Sequence, residues 1–183
     1  MLFGILFSMS NNNISLGLDI SSTTIGYCFS SSKTDINQAG FISVNKEISI
    51  RSKAKKVAEE LKNIQLQPFV VIVEDSLSGF GGGRTSQQTI VKLAKCNAII
   101  SYVVEEMYNL EVQHVNVSTM RKSVFGKSRE TGLDSKIFVK NNLDNMLDLS
   151  EFTFYNSRQN YDKKNYDMLD AVVASLHYWY SLK

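Results

Sequence analysis

Two apolar runs in this chain each close on a carboxylate: Ile14-Ser-Leu-Gly-Leu-Asp19 and Phe69-Val-Val-Ile-Val-Glu74. The second run lacks polar alternation, which predicts a central strand covered on both faces. A carboxylate at the end of a buried strand is costly unless it is paired or holds a cation. Two more acids, Asp167 and Asp170, stand three residues apart where the last helical pattern begins, so they share a helix face. Four acids brought together would repel and raise one another's pKa. A divalent cation relieves both penalties, and all-oxygen ligation points to Mg²⁺ or Mn²⁺. The set predicts a metal-dependent phosphoryl-transfer enzyme.

The runs 14–20, 24–31 and 36–44 predict three strands joined by turns at Ser21-Ser22-Thr23 and Ser31 to Asp35, an antiparallel meander. A helix follows over 46–65, with Ala54, Val57, Ala58 and Leu61 on one side and lysines opposite. Pro68 leads into the strand 69–74, and Gly79, Gly81, Gly82 and Gly83 place a loop after it. A long helix over 86–107, a strand over 111–117, a short helix capped by Ser118 or Thr119 and ending near Gly126, and a helix over 134–147 come next. The last helix spans 166–182, with a stripe of Leu169, Val172, Val173, Leu176 and Tyr180. Ala171 and Ala174 lie behind the two acids, small enough to let the helix lie against a sheet. The fold class is α/β: a mixed central sheet, the meander plus parallel strands, with helices on both faces.

At 183 residues, with 43% hydrophobic and 21% charged residues, the chain suits one globular domain over 14–183, preceded by a flexible extension over 1–13. The apolar stretch at the N-terminus is too short to span a membrane and has no basic segment of the kind that opens a signal peptide. Cys28 and Cys96 lack metal-ligand spacing and are expected as reduced packing residues, which suits a cytoplasmic setting. A net charge of +2 means that any polyanion-binding surface must come from local clustering.

Gly17-Leu-Asp19 followed by Ser-Ser-Thr-Thr-Ile-Gly26-Tyr27, then Val71-Ile-Val-Glu74 with its glycine loop and long helix, then Asp167-x-x-Asp170-Ala171, together resemble the RuvC-type Holliday junction resolvases of the RNase H-like superfamily, in a phage-like or viral-like version. The resemblance runs from about residue 14 to 182 and rests on the order of weak motifs. It implies that Asp19, Glu74, Asp167 and Asp170 bind two Mg²⁺ ions per site, with Mn²⁺ able to substitute. One ion would activate the attacking water and the other would stabilise the leaving 3′-oxygen. The implied activity is an endonuclease that resolves four-way DNA junctions by paired symmetric nicks with 5′-phosphate ends. Asp75 is left out because the strand would point it the other way.

Basic residues cluster in the loops expected beside such a site: Arg84, Arg121, Lys122, Lys127 and Lys136, with Lys164 just before the acidic pair. Arg121 and Lys136 match the family's phosphate-binding region, where contacts give affinity and register rather than sequence readout. Phe80, between two glycines, suits stacking on a base of branched DNA. The helix over 86–107 is apolar on more than one face, which predicts a homodimer, and two symmetric nicks require two sites. Other RNase H-like nucleases, acting on flaps, branched DNA or RNA–DNA hybrids, share the same signature. Sugar kinases and actin-like ATPases also open on strand-Asp-hydroxyl-strand, but they need a second domain.

Overall fold

The computed structural model describes residues 13–75 and 87–182. Strands β1 (Ser15–Ile20), β2 (Thr24–Ser30) and β3 (Ile36–Ser43) form the meander, and β4 (Val70–Glu74) and β5 (Val112–Val115) complete a sheet of order β3-β2-β1-β4-β5. The meander pairs are antiparallel, while β1–β4 and β4–β5 are parallel. Helix α1 (Ile50–Asn63) connects β3 to β4, and α2 (Gln87–Tyr108) lies between β4 and β5. Helices α3 (Val117–Phe125), α4 (Ser135–Asp144) and α5 (Asn165–Ser181) follow, with a 3₁₀ turn at Ser150–Phe152. Both parallel connections carry a helix, as parallel pairing requires. No helix among the described residues is long and apolar enough to cross a membrane.

The ends of the elements differ from expectation where capping chemistry decides. Helix α1 starts at Ile50 rather than 46, because Ser49 and Ser52 exchange hydrogen bonds in a capping box. Helix α3 is capped by Asn116, whose side chain accepts from the Ser118 N–H, and not by Ser118 or Thr119. Gly126 ends it in the left-handed region, at φ 75°. Lys53 departs from the lysine-rich outer face of α1: it is buried, and its ammonium donates to the carbonyl of Ser22 in the β1–β2 turn.

The sheet separates two cores. Leu16, Leu18, Ile25, Phe29, Val71 and Val73 pack toward α1 and α2. Cys28, Val70 and Ile72 face α3, α4 and α5, with Met120, Phe138, Leu169, Val172 and Leu176. The apolar run of β1 therefore hides a period of two. Its large residues serve one core, while Ser15, Gly17 and Asp19 face α5.

Those small residues let α5 lie on the sheet. A Cβ on Gly17 would stand 2.2 Å from the carbonyl oxygen of Ala171, and one on Gly26 would stand 1.9 Å from that of Asp167. Only glycine fits at either point. Beyond Gly17, the hydroxyls of Ser15, Ser30 and Ser175 form a buried triangle with edges of 3.0, 2.8 and 2.6 Å. The Trp179 indole N–H, 3.0 Å from both Ser15 Oγ and Ser30 Oγ, closes it.

Candidate functional site

The acids meet because of strand register. β1 and β4 run parallel with Leu18 beside Val73, so Asp19 and Glu74, one residue on, stand at the ends of neighbouring strands, Asp19 one residue before the end of β1, on the face that α5 covers. Across the antiparallel pair, Asp19 stands opposite Gly26, and Gly26 is the point where the Asp167 backbone touches the sheet. The missing side chain at Gly26 therefore sets Asp167 beside Asp19. Asp170 follows one turn later on α5 and reaches Arg121 of α3, whose Nη2 donates to Asp170 Oδ1 at 3.0 Å. Asp167 lies in the first turn of α5; Asp170 lies beyond it and gains less from the helix dipole.

The acids feel one another's charge. Burial, and then Glu74, Asp170 and Asp167, push the Asp19 carboxyl well above the usual carboxylate range, against a partial pull from Lys136. Burial and then Asp170 raise Glu74 from its usual 4.5 to about 7, with Arg121 opposing. Asp167 is raised chiefly by burial, with Lys136 opposing and Asp170 adding. Asp170 is raised by burial despite its pairing with Arg121. Neighbouring acids thus add to burial most at Asp19 and Glu74.

This is a hard, anionic, all-oxygen donor set, and in that respect it fits a divalent cation. As the side chains stand, no group of three His, Cys, Asp or Glu among the described residues is placed to hold a metal ion. Two cations oppose the burial: Arg121 at Glu74 and Asp170, and Lys136 at Asp19, Asp167 and Asp170. The ion pair is nearly closed from solvent, with side-chain exposures of 11% for Arg121 and 16% for Asp170. Arg121 Nη1 donates to Ser135 Oγ at 2.6 Å, while its Nε is buried with no partner.

The basic residues separate into groups. Arg121 pairs with Asp170, and its charge opposes the rise of Glu74. Lys136 is exposed at the first turn of α4, with its Nζ 5.2 Å from the Tyr166 ring centre and its charge felt by Asp19, Asp167 and Asp170. Lys164 is half-buried, 5.2 Å from the Phe41 ring centre. Lys122 is exposed on α3. Lys127 is exposed, paired with Glu130 at 2.7 Å and set 5.7 Å from the Phe138 ring centre. Phe80 and Arg84 lie outside the described residues. Asp75 donates its N–H to Val115, and its charge adds to the rise of Glu74.

Sequence reasoning missed two asparagines. Asn97 is buried in the apolar stripe of α2 and donates from Nδ2 to the Glu74 carbonyl at 3.1 Å, tying α2 to the strand end. Asn165 opens α5 and is fully buried. A lone asparagine on an otherwise apolar helix face was the available signal, since a buried amide needs a specific partner. His177 accepts or donates at Nδ1 to Ser123 Oγ, 2.6 Å away, and so joins α3 to α5.

No protein-family model matches the chain, and no curated protein matches it in sequence. Solved structures do. RuvC from Thermus thermophilus superposes with a TM-score of 0.63 at 11% identity, covering 91% of this chain and 93% of that one. The same protein in complex with Holliday junction substrate gives 0.62 at 9% identity, covering 91% and 92%. The yeast mitochondrial Holliday junction resolvase gives 0.57 at 15% identity, covering 92% and 78%. The chain has the RNase H-like fold of these resolvases.

Proposed function

We propose that this chain is a metal-dependent, structure-selective endodeoxyribonuclease that resolves four-way DNA junctions. The observation that carries the reading is the assembly of Asp19, Glu74, Asp167 and Asp170 from three separate elements onto one face of a resolvase-like sheet. Structural neighbours of this fold are junction resolvases, one of them bound to its Holliday junction substrate.

In this reading the four acids would hold two divalent cations, Mg²⁺ or in its place Mn²⁺. Held there, such ions supply an activated water and a counter-charge for the leaving 3′-oxygen, giving 5′-phosphate ends. Asp19 and Glu74 are fixed by the strand register, while Asp167 and Asp170 are fixed by the seating of α5 on Gly17 and Gly26. Arg121 holds Asp170 until the DNA backbone offers its guanidinium a phosphate. Lys136, whose charge acts on three of the acids, is a phosphate contact in this reading; Lys122, Lys127, Lys164 and Arg84 are further candidates for backbone contacts and Phe80 for stacking on a base. The exposed face of α2, with Val91 at 46%, Ile99 at 41% and Tyr102 at 59%, is the dimerisation surface in this reading. Two copies place one site on each of two symmetric strands.

The test is cleavage of end-labelled four-way junctions, forks, linear duplex and RNA–DNA hybrid, with Mg²⁺ or with EDTA. Paired symmetric nicks confined to the junction are expected. Asp19→Asn and Asp170→Asn should lower the rate by about a thousandfold, the scale of several kcal/mol of lost transition-state stabilisation. Cutting of forks or hybrid in preference to the junction would replace the substrate. Junction binding without any cleavage would defeat the reading.

A further inference from the structure

A row of aromatic and cationic side chains leads outward from the acidic site. Lys136 Nζ stands 5.2 Å from the Tyr166 ring centre, and Tyr166 meets Tyr161 edge-on at 5.5 Å. Lys140, one turn after Lys136 on α4, has its Nζ 5.7 Å from the Tyr161 ring centre. Tyr161 in turn meets Tyr155 at 6.4 Å. The inner end of the row is the acidic site itself, because Tyr166 adjoins Asp167 and the charge of Lys136 acts on three of the acids. The outer end is open: Tyr155 is 59% exposed. Beside it lies a cavity of about 590 Å³, lined among others by Lys140, Leu149, Thr153, Tyr155, Tyr161 and Leu169.

The mount of this row is built rather than loose. Tyr155 and Tyr161 pair across a short antiparallel bridge. Asn156 shapes the turn between them by accepting from the N–H groups of Arg158 and Asn160, at 2.9 and 3.1 Å. Gln159 takes the left-handed conformation at φ 58°. The bridge is clamped to the acidic helix by Asn165. Its Oδ1 accepts from the Phe154 N–H at 3.0 Å, and its Nδ2 donates to the Phe154 carbonyl at 2.8 Å. A fully buried asparagine two residues before Asp167 thus holds an exposed tyrosine in fixed relation to the acids.

An exposed ring on a fixed support, next to cations and continuous with the acidic site, matches the chemistry of single-strand recognition: rings stack bases while lysines follow the backbone. The acidic residues near the cavity do not cancel this. Asp148 is held ionised by its hydrogen bonds from Ser150, but it is fully exposed and its charge is screened by solvent; the Lys140–Asp144 pair is half open to solvent, where such pairs are weak and exchange readily.

We propose that the Lys136–Tyr166–Lys140–Tyr161–Tyr155 row is a track for unpaired nucleotides of the DNA strand that leaves the acidic site, with a base stacked on Tyr155 over the cavity. This rests on the nuclease reading above. The track gives the protein a reason to favour branched DNA whose crossover is opened.

The test uses the full chain and two probes: a fluorescent oligothymidylate, and a four-way junction carrying 2-aminopurine beside the crossover. The unsubstituted protein should bind both and change the 2-aminopurine signal. Tyr155→Ala should weaken oligothymidylate binding by about tenfold and abolish the 2-aminopurine change, because one stacked base is lost. Tyr155→Phe, which keeps the ring, should restore both, and thermal unfolding of the two variants should coincide. Oligothymidylate binding unchanged in Tyr155→Ala, or absent in the unsubstituted protein, would overturn the track and leave junction cleavage untouched. Tyr155-dependent binding in a protein that fails to cut the junction would support the track while removing the four-way substrate.

Discussion

One helix–sheet contact has two chemically opposite ends. At one end, Ser15, Ser30 and Ser175 share hydrogen bonds in a closed triangle under Trp179. At the other, Asp19, Glu74, Asp167 and Asp170 crowd together with their carboxyl pKa values raised. Gly17 and Gly26 lie between and permit both. The hydroxyl end is satisfied and stabilises the fold; the acidic end is unsatisfied and works against it. A protein keeps such a region where an incoming charged ligand resolves the conflict. The same packing that secures the fold also holds the acids in opposition.

The most damaging substitution should strike both ends together. Gly26→Ala drives a methyl into the Asp167 backbone and should cost about 3 kcal/mol or more, read by urea unfolding. It should also displace Asp167 from Asp19. Breaking only the satisfied end is milder. Ser175→Ala leaves Ser15 and Ser30 bonded to each other and to Trp179, so a loss of about 1–2 kcal/mol is expected in the same measurement.

At the acidic end the sign should reverse. Asp19→Asn removes one charge from the cluster and should stabilise the metal-free protein by roughly 1 kcal/mol or more, even as it removes cleavage. A loss of stability instead would mean that Asp19 is already compensated. Added Mg²⁺ should raise the melting temperature of the unsubstituted protein and leave that of Asp19→Asn nearly unchanged.

The remaining effect is a slope rather than a substitution. Glu74 is raised in the folded state from 4.5 to about 7, so between those values the folded chain binds a proton that the unfolded chain has lost. The stabilisation is complete below pH 4.5 and disappears as pH rises through 7. Metal-free protein should therefore gain stability as pH falls through that window, and EDTA-treated samples unfolded at several pH values would measure it. Saturating Mg²⁺ should flatten the slope, because the bound cation then stabilises the ionised form. A slope of the opposite sign would mean that the acids are held ionised by Arg121 and Lys136 alone.

Much of this arrangement was legible along the chain. The apolar runs located β1, β2 and β4, and each acid was visible because it stood where the pattern had no use for it. Gly26 could be read as part of a glycine-aromatic pair, but not as the point where Asp167 rests. Arg121 could be read only as a basic residue in a suitable region. Its salt bridge spans 49 residues, and no local period encodes a partner so far away. The stretch 156–165 carries no helical or strand period, yet Asn165 and the tyrosine bridge give it a fixed shape.

The sequence by itself determined the strands, the helices and the chemical character of the acids, because period, turn residues and burial preference act over a few neighbours. Tertiary structure alone decided that Ser15 would meet Ser175, that Arg121 would sit on Asp170, and that tyrosines from a bridge would line up with lysines of α4. Those contacts depend on how closely α5 approaches the sheet. That distance is set where two glycines leave room for a backbone, and side-chain period carries no record of it.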